Sequence, residues 1–193
     1  MKTQLEDLKE RMLTCASCDL CNTRTQVVFG EGNTSPLIML LGEAPGESED
    51  LDGKPFVGAA GKKLDDIMKY IGVSRKDVYI TNAVLCRPPN NRVPRREELE
   101  SCRWRLNLQI KLLKPKLIIC LGKTAFEQLR GSPLVGALNK NFGTWLNYTV
   151  DGHTAKVAVM YHPSFHLRSP EKAYKETLPH WTKIKEWYNG QVV

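Results

Sequence analysis

The chain has 193 residues, 41% of them hydrophobic and 25% charged, and 28 Lys and Arg against 21 Asp and Glu leave a net charge of +7. That make-up fits an ordinary folded domain with a sizeable core and excludes a disordered or fibrous chain. The longest apolar runs, at 37–41 and 117–121, are five residues each, far below the roughly 20 that cross a bilayer. The opening residues carry no apolar segment behind a basic start, so no membrane partner and no secretion are expected, and the cytoplasm is. In that compartment the six cysteines stay reduced, which favours metal binding or catalysis over disulfides. The positive balance suits a polyanionic partner without specifying one.

In chain order, the pattern predicts an outlying helix over 5–14 and a buried strand over 37–41. A helix follows in which Leu64, Ile67, Met68 and Ile71 recur at steps of three and four, then a strand over 78–84. Leu99, Cys102, Leu106, Ile110 and Leu113 mark another helix, followed by a strand over 117–121 and a short helix over 123–129. An extra strand over 144–149 turns at Asp151-Gly152 into a last strand over 157–161. Pro170 opens a terminal helix over 171–188 with Tyr174, Leu178, Trp181 and Ile184 facing inward. Apolar strands alternating with amphipathic helices indicate an α/β fold with a mainly parallel sheet, a three-layer sandwich, and no linker divides residues 1–193 into more than a single domain.

Sheets of this type gather their chemistry in the loops after the strands. Here those are 42–50 with 53–58, then Asn82 with 86–92, and finally 162–168. Cys15 and Cys18 form a C-x2-C pair, and Cys86 and Cys102 are a second pair that the fold would have to bring in. Four thiolates would suit zinc or an iron-sulfur cluster, and the spacing alone leaves both open; the alternative is that Cys86 and Cys102 are small buried residues. Cys120, inside a strand, is expected in the core, and Cys21 has no assigned role.

Several of these stretches together resemble one family, the iron-sulfur (family 4) uracil-DNA glycosylases of bacteria and archaea. The matching residues are Cys15-x2-Cys18, Arg24-Thr25 and Val28-Phe29-Gly30-Glu31-Gly32, then Gly42-Glu43-Ala44-Pro45-Gly46 with Glu49-Asp50, and Gly53-Lys54-Pro55-Phe56-Val57-Gly58. They continue with Ile80-Thr81-Asn82, Cys86-Arg87-Pro88-Pro89, Cys102, His162-Pro163-Ser164 and Leu167-Arg168. Each piece alone is weak, whereas the ordered set over about residues 10–190 is specific. The resemblance implies an α/β/α sandwich on a central four-stranded parallel sheet. It also implies one structural 4Fe-4S cluster on Cys15, Cys18, Cys86 and Cys102, and hydrolytic release of uracil from single- or double-stranded DNA by a monomer in a prokaryotic cytoplasm, associated with the nucleoid. Nothing in the residues names a protein partner such as a sliding clamp.

Each site residue then has an expected task. Uracil must leave the base stack to be cleaved, and Phe56 is expected as the platform beneath it, with a core-plugging aromatic as the alternative. The Asn82 amide, with one acceptor and one donor group, can meet uracil N3-H and O4 and mismatch cytosine; otherwise it is a turn cap. His162 is expected to donate to O2 as negative charge spreads onto the departing base. The family's branches that carry an Asp in the first motif are matched here by Ala44, so the work shifts to His162 and to the backbone at Glu43 and Ala44. Glu49, then Glu43, is the candidate auxiliary carboxylate, while Glu47 and Asp50 read as solvated loop acids. Arg87, Arg92, Arg95, Arg96, Arg103 and Arg105 fall within nineteen residues and suggest a phosphate surface, with Arg87 and Arg92 foremost. Ser164 and Arg168 are expected on DNA, with Leu167 or Phe165 as a wedge. A non-catalytic iron-sulfur DNA-binding or redox-sensing module would need the cysteines and the basic loop but not Phe56, Asn82 and His162 together. A phosphate-handling hydrolase lacks its Gly-rich loop.

Overall fold

The structure is a computed structural model that describes residues 2–133 and 142–192. Its sheet has six strands: β1 (Glu31–Gly32), β2 (Ile38–Gly42), β3 (Val78–Asn82), β4 (Leu117–Leu121), β5 (Trp145–Val150) and β6 (His153–Met160). They lie in the order β1-β3-β2-β4-β6-β5. The central four are parallel, while β1 and β5 close the two edges antiparallel. The expected four-stranded parallel sheet is therefore present as the middle of a six-stranded one. Strands β2, β3 and β4 are buried at every residue, which explains their unbroken apolar sequence: helices cover both faces.

The helices are α1 (Gln4–Leu13), α2 (Glu47–Asp52), α3 (Ala59–Ile71), α4 (Arg96–Leu113), α5 (Lys123–Arg130), α6 (Pro163–Arg168) and α7 (Pro170–Val192). On one face α3 and α7 pack Leu64, Ile67, Met68, Trp181 and Ile184 onto the sheet; on the other, α4 and α5 bring Leu106, Ile110, Phe126 and Leu129. Thr3 caps α1 reciprocally with Glu6, each supplying an acceptor to the other's backbone N-H at 3.2 and 2.7 Å. The hairpin between β5 and β6 turns on Asp151 and Gly152, both left-handed, so β6 starts four residues earlier than the apolar run suggests.

Three expectations are corrected. Segments 47–52 and 163–168, read as loops, are short helices. On α7 the inward face is Ala173, Thr177, Trp181 and Ile184, whereas Tyr174 is 64% exposed, because the apolar stripe steps from the small residue Ala173 rather than from its aromatic neighbour. Asp50 is not a solvated acid: it is 2% exposed and accepts from the backbone N-H groups of Thr25 and Gln26. The parallel register sets Gly42 beside Asn82 and Leu121 beside Met160, so the segments that follow these strands open on one edge.

Candidate active site and thiol cluster

A cleft of about 770 Å³ runs along that edge. Glu43, Ala44, Phe56, Asn82, His162 and Arg168 all line it, so residues far apart in the chain meet there. Phe56 and Asn82 converge on Gly42: a Cβ at that glycine would collide with Asn82 Oδ1 and lie 2.6 Å from the Phe56 ring. The lack of a side chain is what lets ring and amide approach each other. Phe56 sits at φ 55°, a left-handed conformation that costs a bulky residue about 1–3 kcal/mol. It is held by Arg75, which donates to the carbonyls of Phe56 and of Pro55, the latter at 3.0 Å, and by Gly61, where a Cβ would strike the Phe56 backbone.

Asn82 is 1% exposed, and its Oδ1 has no hydrogen-bond partner among the described residues. An unsatisfied buried acceptor is unfavourable by about 1–3 kcal/mol, a deficit that a ligand N-H arriving through the cleft removes. The Asn82 main chain, by contrast, is held: its carbonyl accepts from Arg105 at 3.0 Å.

His162 caps α6 with its own ring. The backbone N-H of Ser164 donates to His162 Nδ1 at 3.2 Å, and Ser164 Oγ lies 2.9 Å from the same nitrogen. An N-H can only donate, so Nδ1 is the acceptor and the ring proton resides on Nε2. Arg168 donates to Ser164 Oγ at 3.1 Å, turning the hydroxyl proton toward Nδ1. Burial, with the Arg168 charge behind it, depresses the imidazole to about 4, so His162 is neutral near pH 7. Its ring lies 5.8 Å from that of Phe56 at 31°. Phe165, expected as a possible wedge, lines the cleft and packs on Tyr161 at 4.5 Å, while Leu167 is exposed.

The carboxylates have structural partners. Glu49 Oε1 accepts from the N-H groups of Val57 and Gly58 at 2.9 and 2.8 Å, and Oε2 from Gly46 at 3.0 Å. It binds the two halves of the first motif together, and with both oxygens engaged it is poorly placed as an auxiliary base. Glu43 keeps more freedom: Thr124 Oγ1 donates to its Oε2 at 2.5 Å.

Cys15, Cys18, Cys86 and Cys102 pack in one cluster with Leu8, Met12 and Leu20. Burial pushes the Cys18 thiol up and Cys86 up to about 11; Cys102 raises both further, while Arg24, whose Nη1 lies 3.2 Å from Cys86 Sγ, pulls Cys86 down. Among the described residues no three His, Cys, Asp or Glu side chains stand close enough to grip one ion. A cuboidal cluster is several atoms across and takes its thiolates from a wider ring. Four thiols drawn into one nest, with guanidinium groups beside Cys86 and along the helix from Cys102, are a donor set that fits it. Cys120 is fully buried in β4 as expected, and Cys21 is only half-buried.

The arginines divide. Arg92 lines the cleft but forms a bidentate pair with Glu98 at 2.6 and 2.9 Å, and Arg87 bonds Asn91 at 2.7 Å and faces Glu47 at 3.4 Å. Arg95 and Arg96 pair with Glu97 and Glu100. Arg105 does not belong to a phosphate surface at all: it is fully buried. Its place was readable as i+3 from Cys102 on the apolar stripe of α4. Arg75 and Thr124 went unnoticed too, because neither lies in a motif.

A parallel sheet with a cleft of mixed polar and apolar lining beyond its strand ends, and in it a strained aromatic and an unpaired amide, is the arrangement of an α/β protein that binds a ligand at the carboxyl edge of its sheet. The sequence matches the family described as the Uracil DNA glycosylase superfamily over residues 29–186, and the chain belongs to that family. It is 41% identical to the Type-4 uracil-DNA glycosylase of Archaeoglobus fulgidus, covering 86% of this chain and 85% of that protein. The Type-4 uracil-DNA glycosylases of Pyrobaculum aerophilum, 44% identical over 86% of each chain, and of Thermotoga maritima, 40% identical over 86% of this chain and 84% of that one, are also similar.

Proposed function

We propose that the protein hydrolyses the N-glycosidic bond of uracil in DNA, leaving an abasic site for base excision repair, with Phe56, Asn82 and His162 as the groups that touch the base. The observation that carries this reading is the unpartnered Oδ1 of buried Asn82 in the same cleft as a neutral His162. Uracil N3-H satisfies that oxygen; cytosine presents a lone pair at N3 and leaves two acceptors face to face. The flipped ring lies against Phe56, whose strained backbone keeps the ring turned to the cleft. As the C1′-N1 bond lengthens, negative charge grows on uracil O2, and His162 Nε2-H donates to it. A neutral donor already fixed in place stabilises that charge without reorganisation. The proton stays on Nε2 because Ser164 occupies Nδ1. Water attacks the cationic sugar, and Glu43, which lines the cleft with one oxygen held by Thr124, is the carboxylate proposed to orient it.

Cys15, Cys18, Cys86 and Cys102 are the residues that would hold one 4Fe-4S cluster. Held by these four thiolates, such a cluster would tie Cys86 and Cys102 to the Cys15–Cys18 segment and so fix the 86–102 stretch, a structural service. The pinned segment, with Arg87 and Arg92 exchanging their present carboxylate and amide partners for phosphates, and α6, with Ser164, Leu167 and Arg168, would flank the DNA as a monomer's binding face. The test is to incubate the purified protein with a labelled uracil-containing oligonucleotide and look for alkali-labile sites. Cleavage at uracil and not at cytosine is expected; an iron-loaded protein that leaves the strand intact refutes the reading.

A further inference from the structure

Arg105 is 0% exposed, and its four hydrogen bonds to oxygen go to neutral acceptors. Nη1 donates to Gln109 Oε1 at 2.7 Å and Thr81 Oγ1 at 3.5 Å; Nη2 donates to the carbonyls of Asn82 and Ala83 at 3.0 and 2.9 Å. Among the described residues Nε has no partner, and no carboxylate pairs with the guanidinium. A buried charge without a counter-ion is strongly unfavourable. Burial works against the charge of Arg105, and the groups that work for it are Cys102, one turn earlier on α4 and a side-chain hydrogen-bond partner, then Tyr79 and Cys86. Burial holds the Tyr79 phenol well above its usual range and raises the Cys86 thiol as well, so neither ionises by itself near pH 7; only the cysteines become anions on holding a cluster, because a metal-bound thiol gives up its proton. The same guanidinium grips the main chain of the residue whose amide faces the cleft. Gln109 backs it by donating to Phe29 O and Tyr79 Oη, both at 3.1 Å, and Gln128 adds a second donor to Ala83 O at 3.2 Å.

We propose that Arg105 is a positioning residue that joins the thiol cluster to the uracil-reading amide: the cluster thiolates supply the counter-charge that keeps a guanidinium buried there, and its fork fixes the exit of β3 so that Asn82 presents its amide in one place. The inference rests on the reading of the four thiolates as ligands and of Asn82 as the base contact. It assigns the cluster a second duty besides pinning the 86–102 segment.

The experiment compares the wild-type holoenzyme with Arg105→Gln and Arg105→Lys. Iron content and the rate at which a chelator bleaches the visible absorbance report the charge half; single-turnover uracil release at saturating uracil-containing duplex reports the positioning half. Arg105→Gln is expected to bleach about tenfold faster and release uracil about tenfold slower. Arg105→Lys, which keeps the charge and loses the fork, is expected to bleach at the wild-type rate and still release uracil several-fold slower. Arg105→Gln matching wild type in both readings overturns the proposal, and so does an Arg105→Lys protein that releases uracil at the full rate. If the Gln variant does not fold, the Lys variant decides alone. A wild-type protein purified without iron overturns the cofactor reading and this inference together, whereas an active, iron-loaded wild type with indistinguishable variants overturns this inference only.

Discussion

The cleft and the thiol nest lie on either side of the exit of β3, and they treat buried polarity differently. In the cleft the candidate base contacts are neutral and incompletely paired: Asn82 Oδ1 has no partner among the described residues, His162 carries no charge near pH 7, and Phe56 is held in a strained conformation. Around the thiols the groups are ionisable and answer one another, Arg24 to Cys86 and Arg105 along the helix from Cys102. A site that must discriminate between two similar bases benefits from an unmet hydrogen bond that only one of them completes. A site that must stay assembled benefits from charges balanced inside the fold. Specificity and cohesion are thus kept in separate neighbourhoods, linked through the main chain at Asn82 and Ala83.

The contrast can be broken most severely on the thiol side. Cys102→Ala is expected to remove iron and, by stranding Arg105 without an anion, to lower unfolding free energy by about 3–5 kcal/mol; denaturant titration beside an iron assay checks both. Asn82→Ala or His162→Ala should leave the fold and iron content intact and slow single-turnover release about 10²–10³-fold, with affinity for undamaged DNA nearly unchanged. A wild-type rate in either variant would remove that residue from the site. Arg75→Ala frees the Phe56 carbonyl and relaxes its backbone; about a tenfold loss in kcat/KM for uracil-containing DNA is expected from losing one positioned contact, and an unaltered kcat/KM would show that the ring keeps its place without it.

The response to pH sharpens the comparison. The folded His162 imidazole is depressed from its ordinary value near 6.5 to about 4, so the unfolded chain binds the extra proton first. Its contribution to stability is full above about pH 6.5 and is lost as the pH falls toward 4. The release rate should show no inflection near 6.5 attributable to this ring and should decline only toward pH 4; a clear inflection near 6.5 would mean that the ring is not held neutral. The smallest effect is expected at Arg96, which is exposed and paired with Glu100: its replacement by Ala should change stability by no more than about 0.5 kcal/mol, measured by denaturant titration.

How much of this was legible follows from the physics of each element. Strands β2, β3 and β4 and helices α3 and α4 announce themselves because burial on a fixed face imposes a period. Helix α2, Glu-Ser-Glu-Asp-Leu-Asp, is too short and too acidic to show one, and β1 is a two-residue edge. Phe56, Asn82 and His162 were readable as candidates from motif resemblance and their places after strands. The unpaired Asn82 oxygen and the Nε2-H tautomer were not, since each depends on what packing brings alongside. Arg105 was misread with the surface arginines because charge usually means solvent, and only the tertiary fold shows a guanidinium enclosed by carbonyls.

That His162 is the N-cap of α6 and also the proposed donor to the departing base carries a consequence for how the molecule can change. Asn is a better N-cap than imidazole, so His162→Asn should make α6 sturdier while taking away the donor. Greater thermal resilience gained at this position would therefore trade away turnover: the histidine is a second-best helix start whose worth lies in where a single proton sits.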